Sequence, residues 1–273
     1  MTTDHGLFGP DSMTWRIHGD PISFVGGLRA LLLQALHPLA MAGVDQHSNY
    51  RDDPWGRLGR TAKYVSTATF GTVEEASKAG ARVRAVHAFV RGVDDQTGQS
   101  YSAGDPRLLA WVHNCTVDSM LDAYRRSGTR CSPAEADVYV AEQVSMAALV
   151  GLAPHELPAT TAGLKSYFDA VQPELRITPA ARGVARFGVA PPMPMWVQVA
   201  TPARLAWAGV SGLAFGMLPP WARRMYGVPV VPGADRATDL AARALRAALL
   251  GVPESLRRSP EQKAAFARLA QTA

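Results

Sequence analysis

The sequence predicts an all-α fold in which a single globular multi-helix domain spans residues 21–273, after a polar segment at residues 1–20. Helix start signals recur along the chain, whereas the alternating polar and apolar pattern of a half-buried strand is nearly absent. Hydrophobic residues make up 47% of the chain and charged residues 19%, a balance that excludes intrinsic disorder. No linker divides the chain into two halves.

The first long helix is predicted over Gly27–Val44, an apolar stretch with Pro38 in its interior. Because proline lacks an amide hydrogen and clashes with the preceding turn, we expect a kink near His37. A polar loop follows. The pair Asp53-Pro54 then supplies an N-cap and a first-turn proline, which predicts a helix to about residue 70.

Four further helices are predicted between residues 73 and 171. Thr72 and Glu75 match a capping box at the start of the first one, and first-turn prolines mark the next two. Glycines lie close to three of the predicted carboxyl ends. The predicted ranges are Val73–Arg91, Pro106–Arg126, Pro133 to near Gly151, and Thr161–Val171.

The region Pro179–Pro232 is rich in proline, glycine, methionine and tryptophan, and we expect loops with one or two short helices there. An Ala/Leu/Arg-rich helix is predicted over Arg236–Leu250. The most apolar stretch, Leu205–Leu218, has 14 residues, whereas a membrane-spanning helix needs about 20. We therefore expect at most peripheral membrane contact, through Ala190–Pro232.

Composition also bears on location and partners. Cys115 and Cys131 are the two cysteines, which excludes a disulfide framework and a multi-cysteine zinc site. The amino terminus lacks the basic-then-apolar pattern of a signal peptide, so we expect a cytoplasmic protein. The net charge of +5 is not gathered into a basic run. This disfavours nucleic acid as a partner and favours anionic groups such as carboxylates or lipid headgroups.

The signatures of several enzyme classes are absent from the sequence. It contains no phosphate-binding GxxxxGK[ST] loop, no GxGxxG after a strand, and neither an HExxH nor an ExxH pair. The stretch Gly209-Val210-Ser211-Gly212 lacks the last glycine of a nucleophile elbow. Kinase, zinc protease, di-iron and serine hydrolase chemistry are therefore all disfavoured.

Two of the seven histidines fall on predicted inner faces of helices. His87 lies four residues after Val83 in the 73–91 helix, and His113 shares a face with Met120 in the next helix. An inward imidazole either binds a metal or is a core side chain hydrogen-bonded to a carbonyl, and helical spacing leaves both alternatives open. The two predicted inner stripes are Ala76, Ala79, Val83, Val86 and Val90, and Leu109, Val112, Thr116, Met120 and Tyr124.

The remaining histidines give weaker signals. His37, beside Pro38 in an apolar helix, is predicted to be buried with a structural hydrogen bond. His47 follows Asp45 in a polar context and is predicted to be solvated or to cap a helix. The other three, at positions 5, 18 and 155, carry no signal.

Arg57 and Thr61 lie one helical turn apart and share a face with Leu58 and Val65, and Arg60 lies one step round the helix. A guanidinium and a hydroxyl on a partly apolar face need a partner. That partner is either an anion or bound oxygen species, or a carboxylate in a buried salt bridge. The candidate carboxylates are Asp45, Asp52 and Asp118.

Several ordered motifs within residues 20–175 carry a family resemblance. The chain resembles the catalytic domain shared by the bacterial rubber oxygenases (latex-clearing proteins) and the endoplasmic-reticulum-bound oxygenase of mycophenolic acid biosynthesis. The motifs are Leu33-Gln34-Ala35-Leu36-His37-Pro38, His47-Ser48, Asp53-Pro54-Trp55-Gly56-Arg57-Leu58-Gly59-Arg60-Thr61, Arg84-Ala85-Val86-His87 and Trp111-Val112-His113.

This resemblance implies a haem b pocket between helices and the cleavage of isoprenoid double bonds with dioxygen. His87 matches the proximal iron ligand, with His113 as the reserve candidate for haem contact. Arg57 and Thr61 match a polar pair near the haem, to which the resemblance gives a catalytic role. Arg60 stands where the rubber oxygenases have a lysine that can bind the iron. Because arginine has no free lone pair, we expect Arg60 to pair with a haem propionate instead.

One departure from the family pattern bears on the substrate. The rubber oxygenases carry a catalytic glutamate upstream of the Arg–Thr pair, but this sequence has no glutamate between Met1 and Gly71. The resemblance implies a haem-dependent oxygenase acting on an apolar isoprenoid or lipid substrate. The alternatives are a haem- or lipid-binding protein without turnover, a haem peroxidase-like activity, and a metal-free helical interaction domain.

Overall fold

The centre of the fold is the contact between two apolar helices, α2 (Ser23–Gln34) and α6 (Pro106–Arg126). A Cβ atom at Gly26 would lie only 3.0 Å from the carbonyl oxygen of Ser119, so a side chain there would push the two backbones apart. Trp111 on α6 is fully buried, and its indole Nε1 donates to the carbonyl of Gln34 at 3.0 Å. The two central helices are therefore fixed by both close packing and a specific hydrogen bond.

The computed structural model describes residues 4–189, 191–229 and 231–271. Residues 1–3 of the amino-terminal segment, and residues 190 and 230 of the predicted membrane-contacting stretch, lie outside the described residues. In the described part, fifteen α-helices and one two-stranded antiparallel hairpin confirm the all-α prediction. The other elements are α1 (Met13–Gly19), α3 (Pro38–His47), α4 (Pro54–Phe70), α5 (Val73–His87), β1 (Arg91–Val93), β2 (Ser100–Ser102), α7 (Pro133–Ala148), α8 (Thr161–Val171), α9 (Pro179–Val189), α10 (Met195–Ala200), α11 (Ala203–Gly216), α12 (Pro220–Met225), α13 (Ala234–Leu250), α14 (Glu254–Arg257) and α15 (Pro260–Ala270).

The helix starts read from capping residues are confirmed. The Asp53 carboxylate accepts a hydrogen bond from the backbone N–H of Gly56 at 2.9 Å and begins α4 at Pro54. Complete capping boxes begin α5, at Thr72 with Glu75, and α7, at Ser132 with Glu135. Local side chain–backbone hydrogen bonds therefore set these boundaries, independently of the packing around them.

The prediction of one kinked helix over Gly27–Val44 is wrong. The chain instead forms α2 and α3, whose axes differ in direction by 103°. His37 between them has an extended backbone and is the N-cap residue of α3, and Pro38 is its first residue. Proline here begins a new helix because its missing amide costs nothing at that position.

The predicted helix end at Arg91 is also wrong, since α5 ends at His87 and a short hairpin follows. Val90 accepts a hydrogen bond from the amide of Ala103 at 2.8 Å, and Tyr101 on β2 donates to the Gln46 side chain at 2.6 Å. These partners are distant in sequence, so local helix propensity gives no sign of them.

The region Pro179–Pro232 contains four helices, α9 to α12, where one or two were predicted. Prolines lie at the starts of these helices, as N-cap or first residue, rather than in their interiors. Leu213, Ala214 and Met217 of this region are buried in the main core. Within the described ranges, no single helix is long and apolar enough to cross a membrane, and only the bent pair α2–α3 meets such a test jointly.

Candidate functional site

The helices α4 and α5 form a hairpin whose two-residue connection at positions 71–72 turns the chain back on itself. The last residue of α5, His87, therefore returns to the beginning of α4, where Arg57 lies. The charge of Arg57 contributes to lowering the pKa of His87, which reflects their proximity. The sequence motifs at 57–61 and 84–87 thus meet at one end of this hairpin.

His87 carries an imidazole nitrogen that nothing in the described structure satisfies. Its Nδ1 is buried and has no hydrogen-bond partner. Burial, and secondarily the charge of Arg57, lowers the pKa of the His87 imidazole below its usual value. The ring is therefore neutral near pH 7, the form in which imidazole ligates a metal.

Arg57 is half-buried, and its side chain has no ion pair or hydrogen bond among the described residues. The alternative of a buried salt bridge is not realised, because Asp45 is held by Tyr50 and Arg51, and Asp118 by Arg29. Asp52 makes no ion pair with Arg57 in this part of the molecule either. Burial and the nearby charge of Arg60 lower the pKa of the guanidinium. Arg57 is thus a cation without a counter-charge, beside His87.

The two other predicted residues on α4 differ in their surroundings. Thr61 donates its hydroxyl proton to the carbonyl of Arg57 at 3.1 Å, which leaves its oxygen lone pairs as acceptors. Arg60 is exposed and donates to the Asp53 carboxylate at 3.2 Å and to the Asn49 side-chain oxygen at 3.1 Å. In this structure Arg60 is engaged at the amino-terminal end of α4, and its pairing with a propionate stays a prediction.

His113 on α6 lies near His18, and it is not among the groups that shift the pKa of His87. Burial lowers the pKa of His113 to about 4. The charge of His113 in turn contributes to lowering the pKa of His18. The His18 ring is 2.9 Å from the Thr69 hydroxyl through Nδ1 and 2.9 Å from the Tyr139 hydroxyl through Nε2. No sequence pattern pointed to His18, because its partners lie 51 and 121 residues away along the chain.

The predicted inner stripes on α5 and α6 are partly wrong. Val86 is 61% exposed and Val112 is 40% exposed, whereas the stripe members Ala76, Met120 and Tyr124 are buried. α5 packs mainly against α4 and covers little else, so much of its apolar surface stays outside the core. α6 is enclosed on several sides, so its buried set extends beyond one stripe.

His37 and His47 have structural partners. His37 is buried as predicted, with Nε2 at 3.7 Å from the Glu174 carboxylate, and burial lowers its pKa. Its Nδ1 also lacks a partner. His47 is exposed, as predicted, and lies in the last turn of α3, where its Nε2 is 3.1 Å from the Tyr101 hydroxyl.

The candidate site is not one of the three cavities described. These have volumes of about 620, 650 and 220 Å³, and none is lined by Arg57, Thr61 or His87. The second cavity is lined by Pro54, which lies one helical turn before Arg57 on α4. In the described part of the chain, no group of three or more His, Cys, Asp or Glu side chains is arranged to hold a bare metal ion.

Comparison with known proteins gives two matches. The model of a family described as ER-bound oxygenase mpaB/B′ and rubber oxygenase, catalytic domain, matches residues 15–249. Among solved structures, that of latex clearing protein LCP in the closed state is similar, with a TM-score of 0.61 and 18% sequence identity; the match covers 94% of this chain and 72% of that one. At this identity the likeness shows the fold. A search of curated proteins gave no significant match.

Proposed function

The chain belongs to the family of ER-bound oxygenase mpaB/B′ and rubber oxygenase catalytic domains, and within it we propose a haem-b-dependent oxygenase that acts on an apolar isoprenoid or lipid substrate with dioxygen. The observation that carries the proposal is the unpartnered Nδ1 of His87 beside the unpaired guanidinium of Arg57. Buried polar groups are almost always satisfied, so a buried nitrogen without a partner, beside a half-buried cation without a counter-charge, favours an absent ligand.

The residues present fit haem in two respects. Haem iron is bound by a single protein imidazole in globins and peroxidases, and His87 offers one neutral ring without needing further side-chain ligands. Haem also carries two propionates, for which a cation without a counter-charge such as Arg57 is a partner. When bound, haem b would supply the iron at which dioxygen is activated.

The chain's own residues would orient and polarise what binds beside them. The Arg57 guanidinium has five N–H donors, none of them used by a described side chain, and can hydrogen-bond an anionic oxygen species or a carboxylate. The Thr61 hydroxyl, tied to the Arg57 carbonyl, presents lone pairs on the same helical face. Leu58 and Val65 on α4 are half-buried, like Arg57 and Thr61 themselves.

A second candidate function is haem or lipid binding without oxygenase turnover. It is favoured because no described carboxylate pairs with Arg57. Asp53, at the start of the same helix, is already engaged, since its carboxylate caps α4 and accepts a hydrogen bond from Arg60. A general base near the polar pair is therefore not provided by an acidic side chain in the described structure. A peroxidase-like haem reaction is compatible with the same observation.

The test is reconstitution followed by turnover. Purified protein is loaded with haemin, its Soret band is recorded, and a short isoprenoid is incubated under oxygen or nitrogen. We expect carbonyl products by mass spectrometry under oxygen alone, and a large loss of rate in Arg57→Met. A Soret band without product from any isoprenoid or lipid supports the second candidate. The absence of a Soret band would contradict the oxygenase and haem binding without turnover, and would leave lipid binding alone.

A further inference from the structure

A cavity of about 650 Å³ opens at the amino-terminal end of α4. Its walls come from the turn before α4 and from the region α9–α11, and they include Tyr50, Pro54, Phe187, Pro192 and Phe215. This volume falls within the range of about 300–1,000 Å³ that is usual for small-molecule sites. Apolar and aromatic walls of this kind favour the chain of a hydrophobic molecule.

The rim of the cavity is positively charged. Arg51 and Arg186 line it, and no acidic residue does. Arg51 is already paired with Asp45 at 2.6 Å. Arg186, exposed on α9, has no ion pair or side-chain hydrogen bond within the described ranges. The surplus charge at the rim is therefore that of Arg186.

The sequence around the cavity strengthens this asymmetry. Between Leu175 and Ala234 the chain has six arginines and no acidic residue, so the remainder, with 22 basic and 23 acidic residues, has a formal charge of −1. The whole net positive charge of the protein thus lies in the segment that forms one wall of the cavity. No carboxylate of that segment is available to neutralise Arg186.

The cavity is aligned with the candidate haem site along one helix. Pro54, Arg57 and Thr61 follow at i, i+3 and i+7 on α4, and therefore share a face. At 1.5 Å per residue, Pro54 and Thr61 are about 10 Å apart along the helix axis. The apolar chain of a ligand that entered at the rim and followed this face of α4 would reach Arg57 and Thr61 within about 10 Å.

We propose that the cavity binds an amphiphile with one anionic headgroup, a carboxylate or phosphate, at Arg186 and an apolar chain against the aromatic walls. The direction of the chain toward His87 rests on the proposed function. The binding site itself does not, because it requires no haem.

Binding can be followed through Trp55, which contacts two of the residues that line the cavity. Its indole Nε1 donates to the carbonyl of Pro192 at 2.9 Å, and its ring centroid lies 5.8 Å from that of Phe187. The haem-free protein is titrated with dodecanoate and, in parallel, with dodecanol, both below their aggregation concentrations. We expect a saturable change in tryptophan fluorescence, with dodecanoate bound about fivefold more tightly, as for a partly exposed ion pair.

The headgroup and the chain are tested by separate variants. Arg186→Gln removes the preference for dodecanoate, while Arg182→Gln, an exposed arginine of the same helix outside the cavity lining, keeps it. Gly183→Leu fills the cavity and abolishes binding of both probes. A Cβ there meets only the Tyr50 hydroxyl, at 3.6 Å, so the helix tolerates it. Gly188→Leu, whose Cβ meets nothing within 4 Å, is the matched control and binds normally.

Equal binding of dodecanoate and dodecanol by the wild type, or a preference unchanged in Arg186→Gln, would overturn the proposal. Loss of binding in Gly188→Leu equal to that in Gly183→Leu would do the same. The last experiment tests binding of the protein to phosphatidylglycerol vesicles. If wild type and Gly183→Leu bind the vesicles equally and the wild type shows no saturable dodecanoate binding, the positive charge serves a membrane surface and the proposal is wrong. Saturable dodecanoate binding by a protein that never takes up haem would keep this site and reject the proposed function.

Discussion

Two histidines of this protein, one buried and one half-buried, have opposite environments. His18 in α1 is 7% exposed, and both ring nitrogens lie 2.9 Å from a hydroxyl, of Thr69 and of Tyr139. His87 at the end of α5 has a buried Nδ1 with no partner among the described residues. The protein satisfies both nitrogens of the first ring and leaves one buried nitrogen of the second without a partner.

Two arginines repeat the contrast. Arg29 on α2 is 3% exposed, and its guanidinium donates to Asp118 at 2.7 Å, to Ser119 at 2.7 Å and to the carbonyl of Met217 at 2.9 Å. Arg57 is half-buried, and its side chain has no hydrogen bond or ion pair in the described structure. The two arginines therefore differ in both burial and partners, and the missing partners of Arg57 make it the candidate for ligand binding.

The largest effect on stability is expected at Arg29. Arg29→Ala leaves the Asp118 carboxylate and the Met217 carbonyl without their donor and opens a cavity, which should cost about 3 kcal/mol in free energy of unfolding. Urea denaturation of the haem-free protein measures this cost. A loss below about 1 kcal/mol would mean that the Arg29 network is not structural.

A pH dependence is expected from His18. Burial, and then the charge of His113, lowers the pKa of His18 to about 4, against an unfolded value near 6.5. The unfolded chain therefore binds the proton first, so the stability due to the neutral ring is present above pH 6.5 and is lost as the pH falls toward 4. We expect His18 to contribute about 2 kcal/mol of the loss between pH 7 and pH 5.

The measurement is the difference in unfolding free energy between those two pH values, for the wild type and for His18→Gln. The variant should show a smaller pH dependence, by the amount assigned to His18. Equal pH dependence in both proteins would contradict the assignment.

The smallest effect on stability is expected at Arg57. Because the Arg57 side chain has no protein partner and is partly desolvated, Arg57→Met should change the free energy of unfolding by no more than about 0.5 kcal/mol, or raise it. Its oxygenase turnover should nevertheless fall. A destabilisation as large as that of Arg29→Ala would show that Arg57 belongs to the structural class.

The parts of this molecule that could be predicted from sequence are those fixed by local chemistry. The capping residues Asp53, Thr72 and Ser132 gave helix starts that the structure confirms. The end of α5 could not be predicted, because the hairpin that follows it is held by partners far along the chain. Pro38 marked the break between α2 and α3 locally, but the angle between them depends on tertiary packing. The motifs placed Arg57 and His87 on neighbouring elements, but whether their polar atoms have partners is a property of the folded molecule alone.

Haem binding by matched histidine variants tests the central claim most directly. Haemin is titrated into the wild type, His87→Ala, His113→Ala and His18→Ala, and the Soret band is followed to saturation, with circular dichroism as a check on helical content. We predict one haem per chain in the wild type, none in His87→Ala with its helices intact, and retained haem in the other two variants. An unchanged spectrum in His87→Ala, with loss of haem in His113→Ala, would contradict the account.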